Sequence, residues 1–164
     1  MYYAALFMLL SFTISPVKIN TWEEIYNLKE YVKLIKIYPD TSSLFRDSTQ
    51  LFIGYTDKAL VFYAKNFQEG SYNATIRKRD DEQISGGEDA ITFIISANGI
   101  GKNAYYIAIN PLGTVFDKVM TREGFVEWDG DITVKTQKTS YGWDCLLLVP
   151  FRSINFVRST WGLQ

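Results

Sequence analysis

A chain of 164 residues can build one domain with its own core, while two would be cramped. Hydrophobic residues make up 47% and aromatics 16%, mostly Tyr and Phe, which argues against disorder and tilts the chain toward strands. With 17 basic against 18 acidic residues, no basic block beyond Arg77-Lys78-Arg79 and no histidine, nucleic-acid binding, His-based triads and His metal sites are excluded as expectations.

Met1 to Pro16 is apolar, too short to span a bilayer comfortably, and suits the h-region of a secretory signal, although no Lys or Arg precedes it. The expectation is an exported chain (periplasm, outer membrane or extracellular) with a module over 17–164. Trp22, Ile25, Tyr26 and Lys29 have roughly helical spacing, so a short helical turn is expected over Trp22–Leu28 and an extended stretch over Val32–Ile37 before Pro39.

From Thr49 the period changes. Gln50–Tyr55 and Ala59–Lys65 are apolar runs around Thr56-Asp57-Lys58, a hairpin signal. Ala74–Arg79 alternates and reads as a strand, and Ser85-Gly86-Gly87 as a loop. Asp89–Ser96 and Asn103–Asn110 read as strands joined by Asn98-Gly99-Ile100-Gly101. Pro111-Leu112-Gly113 turns the chain into Thr114–Lys118, Glu123–Asp131 reads as a loop, and Ile132–Thr136 and Trp143–Val149 complete the set. Eight or nine short strands with turns between them predict an all-β antiparallel sandwich, jelly-roll-like, with a short N-terminal helical segment. The ending Trp161-Gly162-Leu163-Gln164 looks like the start of another strand, which suits a fragment of a longer protein.

Catalytic machinery is not legible. A glycosidase needs a pair of carboxyl groups in set roles, and no spacing singles out a pair. There is no Gly-x-Ser-x-Gly elbow, P-loop or dinucleotide fingerprint. Cys145 lies in an apolar run and reads as a buried, inert thiol. Sugar binding asks for flat aromatics beside a few convergent polar groups, and Trp128, between acidic and Gly residues, is the aromatic best placed to be a platform; the alternative is that it tucks into the sandwich edge. Asp80-Asp81-Glu82 and Asp129-Gly130-Asp131 are the candidate oxygen clusters for calcium, and neither matches an EF-hand loop.

Several segments together resemble one family. These are the hairpin Phe52–Ala64, the strand end Ala74–Asp81, Asn103–Gly113 with its "Ala-Tyr … Asn-Pro-x-Gly" order, Trp128-Asp129, Gly142-Trp143 running to Val149-Pro150-Phe151 and Ile154, and Trp161-Gly162. The set is similar to the family 9 carbohydrate-binding modules, most of all to the family-9-like domain at the front of large bacterial envelope proteins in which an outer-membrane barrel follows. It covers about Ile19 to Gln164. The resemblance implies a β-sandwich that binds glycan without hydrolysing it, in proteins linked to polysaccharide catabolism, with calcium as a family option. Carried over position by position, it implies Trp128 as aromatic platform and Arg79 as polar contact, with Asn110 and Asp89 as further contacts. The family's second clamping aromatic has no match, and its opening "Ile-Asp-Gly" survives only as Ile19-Asn20. Two other readings stay open: an interaction domain ahead of an outer-membrane barrel that has lost sugar binding, and a haem-binding sandwich in which a Met or Lys, such as Met120, would have to serve as ligand.

Overall fold

The computed structural model describes residues 15–35, 47–85, 87–97 and 103–154. Two sheets face one another, as the strand pattern predicts. The first holds β1 (Val17–Lys18), β2 (Val32–Ile35), β3 (Ser48–Tyr55), β4 (Ala59–Phe67), β9 (Thr133–Thr139) and β10 (Gly142–Pro150), ordered β1-β3-β4-β10-β9 with β2 also on β3. The second is a meander of β5 (Ile91–Ile95), β6 (Ala104–Ile109), β7 (Val115–Thr121) and β8 (Gly124–Glu127). Every ladder is antiparallel except the two-residue match of β1 with β3.

Period-two alternation decides what each strand buries. Leu60, Phe62 and Ala64 of β4 and Trp143, Cys145, Leu147 and Val149 of β10 point between the sheets, where they meet Phe93 and Ile95 of β5 and Ile107 and Ile109 of β6. Ala59 to Ala64 is buried on both faces because a 3-10 helix, Trp22–Asn27, covers the outer side. Its Ile25 is fully buried among Ile19, Phe52, Val61, Tyr63 and Leu146, a burial that contributes about 2–3 kcal/mol. A second 3-10 helix, Glu82–Ser85, seats Ile84 on Ala108 and Phe116, outside the second sheet.

Three expectations are corrected in detail. Ala74–Arg79 forms no strand: Thr75 O accepts from Asn110 Nδ2 at 2.9 Å and Thr114 Oγ1 at 3.2 Å, and Arg77 N donates to Thr114 Oγ1 at 3.1 Å. Side chains therefore take the backbone groups that a neighbouring strand would need. Part of the expected loop Glu123–Asp131 is β8, which pairs with β7 from Lys118↔Glu127 to Thr121↔Gly124. The helical turn is 3-10 and ends at Asn27. The expected signal segment up to Ile14, the Asn98–Gly101 turn and Trp161–Gln164 lie outside the described residues.

Candidate functional site

β4 ends at Phe67, opposite Gly142 at the start of β10 and close to Thr139 at the end of β9. These strand ends share one end of the sandwich, and two adjoining open clefts lie there. The inner one, about 300 Å³, is bordered by Thr49, Asn66, Gln68, Asp89 and Trp143, with Asp47 at its rim. The outer one, about 480 Å³, is bordered by Tyr72, Lys138, Tyr141, Glu69 and Gly142. Phe67 and Gln68 border both.

Sheet register explains the inner lining. Thr49 pairs with Asn66, Asn66 with Trp143 and Trp143 with Lys138, a single rung across four strands. Trp143 faces the core, so its rung partners face inward too, at the last position before the space between the sheets opens. Gln68 ties the two layers together: its backbone N–H donates to Tyr141 O at 2.9 Å and its side-chain amide to Asp89 Oδ2 at 3.0 Å. Asn73 N donates to that same oxygen at 2.8 Å.

Asn66 is 93% buried by area, being 7% exposed. Its Oδ1 accepts from Thr49 Oγ1 at 2.8 Å, and among the described residues its Nδ2 has no acceptor. A buried donor left unmade costs about 1–3 kcal/mol, so the fold bears a penalty at this nitrogen, which has almost no surface of its own.

The outer cleft is aromatic. Phe67 and Tyr141 stack with centroids 4.7 Å apart and planes at 27°, and Lys138 Nζ lies 6.0 Å from the Tyr72 ring centre. Tyr141 Oη donates to Asp144, which also accepts from Tyr63 Oη at 2.7 Å. Partial burial first, then the Asp144 carboxylate, push the Tyr141 phenol up to about 12, so it stays a neutral donor. Gly142 has φ +143, and a Cβ there would run into the Asn66 carbonyl oxygen; only glycine brings Tyr141 this close to β4.

The four residues implied by the family resemblance fall in three places. Trp128 and Arg79 do come together, at the opposite end of the sandwich, around Gly130. The indole N–H of Trp128 donates to Ser153 O at 3.1 Å, just beyond β10, while its ring tilts against Tyr105 with centroids 4.6 Å apart. A Cβ on Gly130 would stand 2.6 Å from that indole. Arg79 donates through Nε to Asp117 Oδ1 at 2.6 Å, through Nη2 to Asp117 Oδ2, and to Gly130 O at 2.8 Å. Asp117 has no exposed surface and also accepts from Gly130 N at 3.2 Å. Its carboxylate raises the guanidinium's already high pKa further. Trp128 thus takes the edge-packed alternative, and Arg79 serves as counter-ion to a buried acid.

Asn110 is fully buried. Its Nδ2 donates to Thr75 O and to Glu88 Oε2 at 2.8 Å, and its Oδ1 accepts from Leu112 N and Thr114 N. All its amide capacity is spent on the Pro111 turn and its neighbours. The same Asn110 amide, together with the Arg77 guanidinium, holds the Glu88 carboxyl down to about 2. Asp89 alone of the four borders a cleft. Asn66, Gln68, Tyr72 and Tyr141 carried no signal in the sequence reading, because what sets them apart is strand register rather than motif.

The calcium candidates Asp80 and Asp131 are engaged within the protein. Asp80, in the left-handed region at φ 66, gives Oδ1 to Asp117 N at 3.0 Å and Oδ2 to Lys118 Nζ at 3.1 Å, and Asp131 pairs with Arg152. A backbone N–H and a lysine hold the Asp80 oxygens and an arginine holds Asp131, and among the described residues no three His, Cys, Asp or Glu converge.

No protein-family model matches the chain, and no curated protein sequence does. The fold is similar to the crystal structure of a "putative carbohydrate-binding protein" from Bacteroides uniformis, with a TM-score of 0.68 over 85% of this chain and 73% of that one, at 12% identity.

Proposed function

We propose that the chain is a non-catalytic carbohydrate-binding module of the family 9 type, part of an exported bacterial protein concerned with polysaccharide binding and catabolism, and that glycan enters the open end bordered by Phe67 and Gln68. One observation carries this reading: that end sets an aromatic wall of Phe67, Tyr72 and Tyr141 beside Asn66, Gln68 and Asp89. Sugars need both parts, since their C–H faces stack on rings while their hydroxyls need amides and carboxylates. The sandwich shared with the Bacteroides uniformis protein agrees with it.

The test is affinity electrophoresis across a broad panel of soluble polysaccharides, with product analysis of the same mixtures. Retardation by at least one glycan and no released sugar are expected. Unchanged migration on every polysaccharide would sink the reading.

A second reading, an interaction domain of an envelope protein, is favoured by the outer face of the second sheet. Ile94, Met120 and Phe125 are 48%, 36% and 53% exposed there, beside the ring cluster of Tyr106 and Phe116. It predicts that Phe125→Glu disturbs attachment to the rest of the protein and leaves glycan retardation as it was.

A further inference from the structure

The outer faces of the two sheets are finished differently. On the first sheet, the 3-10 helix Trp22–Asn27 lays Ile25 over Phe52, Val61, Tyr63 and Leu146. On the second, the 3-10 helix Glu82–Ser85 covers Ala108 and Phe116 with Ile84 and goes no further. The rest of that face is open. Ile94, Tyr106, Lys118 and Glu127 form one rung across all four strands, and Met120 pairs with Phe125 on the next rung of the same face. Tyr106, Phe116 and Phe125 meet edge-on with centroids 5.2–5.9 Å apart, which fixes the shape of the patch.

One ion group lies in this surface. The Lys118 side chain is only 9% exposed, and its Nζ meets Asp80 Oδ2 at 3.1 Å and Glu127 Oε2. Two carboxylates surround one ammonium, so the group carries one excess negative charge. That excess points outward: the Glu127 side chain is 82% exposed, on the edge strand β8, whose four residues are all exposed. Among the described residues the Glu127 carboxylate has no partner other than Lys118.

Size and charge narrow what fits. Four strands about 4.8 Å apart, with two or three rungs about 7 Å apart, make a face of roughly 200–300 Å². A stable protein–protein interface buries roughly 800 Å² on each partner, so a short segment suits this face better than a whole domain. A second copy meeting it about a two-fold axis would also set Glu127 and its excess charge against the same charge.

Resting on the interaction-surface reading given second above, we propose that this face docks a short protein segment that presents apolar side chains around one Arg or Lys. The apolar groups cover Ile94, Met120 and Phe125, and the cation meets the Glu127 carboxylate. Such a segment does for the second sheet what Trp22–Asn27 does for the first. It leaves the glycan clefts free, since none of these four residues borders them.

The test uses the full chain labelled with ¹³C at the methionine methyls and followed by NMR, the Met120 signal being the one lost in Met120→Leu. The probes are two short capped peptides of Leu, Ala and Gln, identical except for a central Arg or Glu. Both are titrated in about 0.15 M salt, which screens long-range charge. We expect the Arg peptide to move the Met120 methyl and to bind about fivefold more tightly than the Glu peptide, the scale of one exposed attraction against one repulsion. Glu127→Gln should bring the two peptides level, and Phe125→Ala should weaken both by about fivefold. Equal affinity, or tighter binding of the Glu peptide, overturns the basic partner and leaves the interaction surface standing. If neither peptide moves the Met120 methyl, the surface reading falls as well. A Met120 shift that follows protein concentration with no peptide present assigns the face to a second copy, which also overturns the proposal. The wild-type titrations decide each case even if a variant fails to fold.

Discussion

The two ends of this sandwich hold similar side chains in opposite states. Around Gly130, an indole, a guanidinium and a carboxylate are closed on one another and on backbone atoms, so Trp128 and Asp117 have their polar atoms engaged and Arg79 spends its Nε and Nη2 on structure. Around Gln68, the buried Asn66 amide has an unpaired nitrogen and three aromatic rings border open clefts. The same residue types can thus be structural or available for binding, and the difference lies in whether the fold has already used their hydrogen bonds. A platform tryptophan and a sugar-binding arginine look identical in sequence to a packed indole and a counter-ion.

Substitutions can break that contrast. Arg79→Ala leaves the buried Asp117 carboxylate without its cation, and the urea midpoint should report a loss of about 2–3 kcal/mol, below the usual range for fully buried pairs because the Arg79 side chain is 41% exposed. Retention on a polysaccharide that binds the wild type should not change. A folded Arg79→Ala protein that no longer binds would move the site to the Gly130 end. Trp128→Phe removes the bond to Ser153 and keeps most of the packing, so about 1 kcal/mol of stability should go, again with affinity unchanged.

Acid probes the Gln68 end. Glu88 has its folded pKa lowered from 4.5 to about 2, so its contribution to stability is complete above about 4.5 and is lost as pH falls toward 2. Thermal melts across that window should show a slope that Glu88→Gln flattens. The smallest effect is expected of Cys145, in the core shared by both ends, where burial pushes the thiol up to about 12. A disulfide reagent at pH 8 should leave the native thiol untouched for hours. Rapid labelling in Arg79→Ala but not in wild type would show that loosening one end opens the whole sandwich.

Much of the fold was legible from short apolar runs bounded by turn residues. Gln50–Tyr55 and Ala59–Lys65 became β3 and β4, and Trp143–Val149 became β10, the last two with stretches buried on both faces. Ala74–Arg79 shows where alternation misleads: its backbone partners are the side chains of Asn110 and Thr114, some 35–39 positions away, and periodicity carries no trace of them. The site was less legible for a related reason. Asn66 becomes special through its rung with Thr49 and Trp143, residues 17 and 77 positions away, and through the donor that rung leaves unmade. Asp89 was anticipated from family resemblance, and it is the implied residue that borders a cleft.

Gly142 gives this end a fixed hinge-point for mutational change. With no room for a side chain at 142, a library randomising 138–142 together with 66–72 should return glycine at that one position whatever sugar is used for selection. Tyr72 and Lys138 around it should diversify with the sugar, while Gln68 stays constrained by its bond to Asp89. Specificity at this end is then a matter of exchangeable walls around an invariant pivot, which makes the scaffold easy to retune for new glycans and hard to widen.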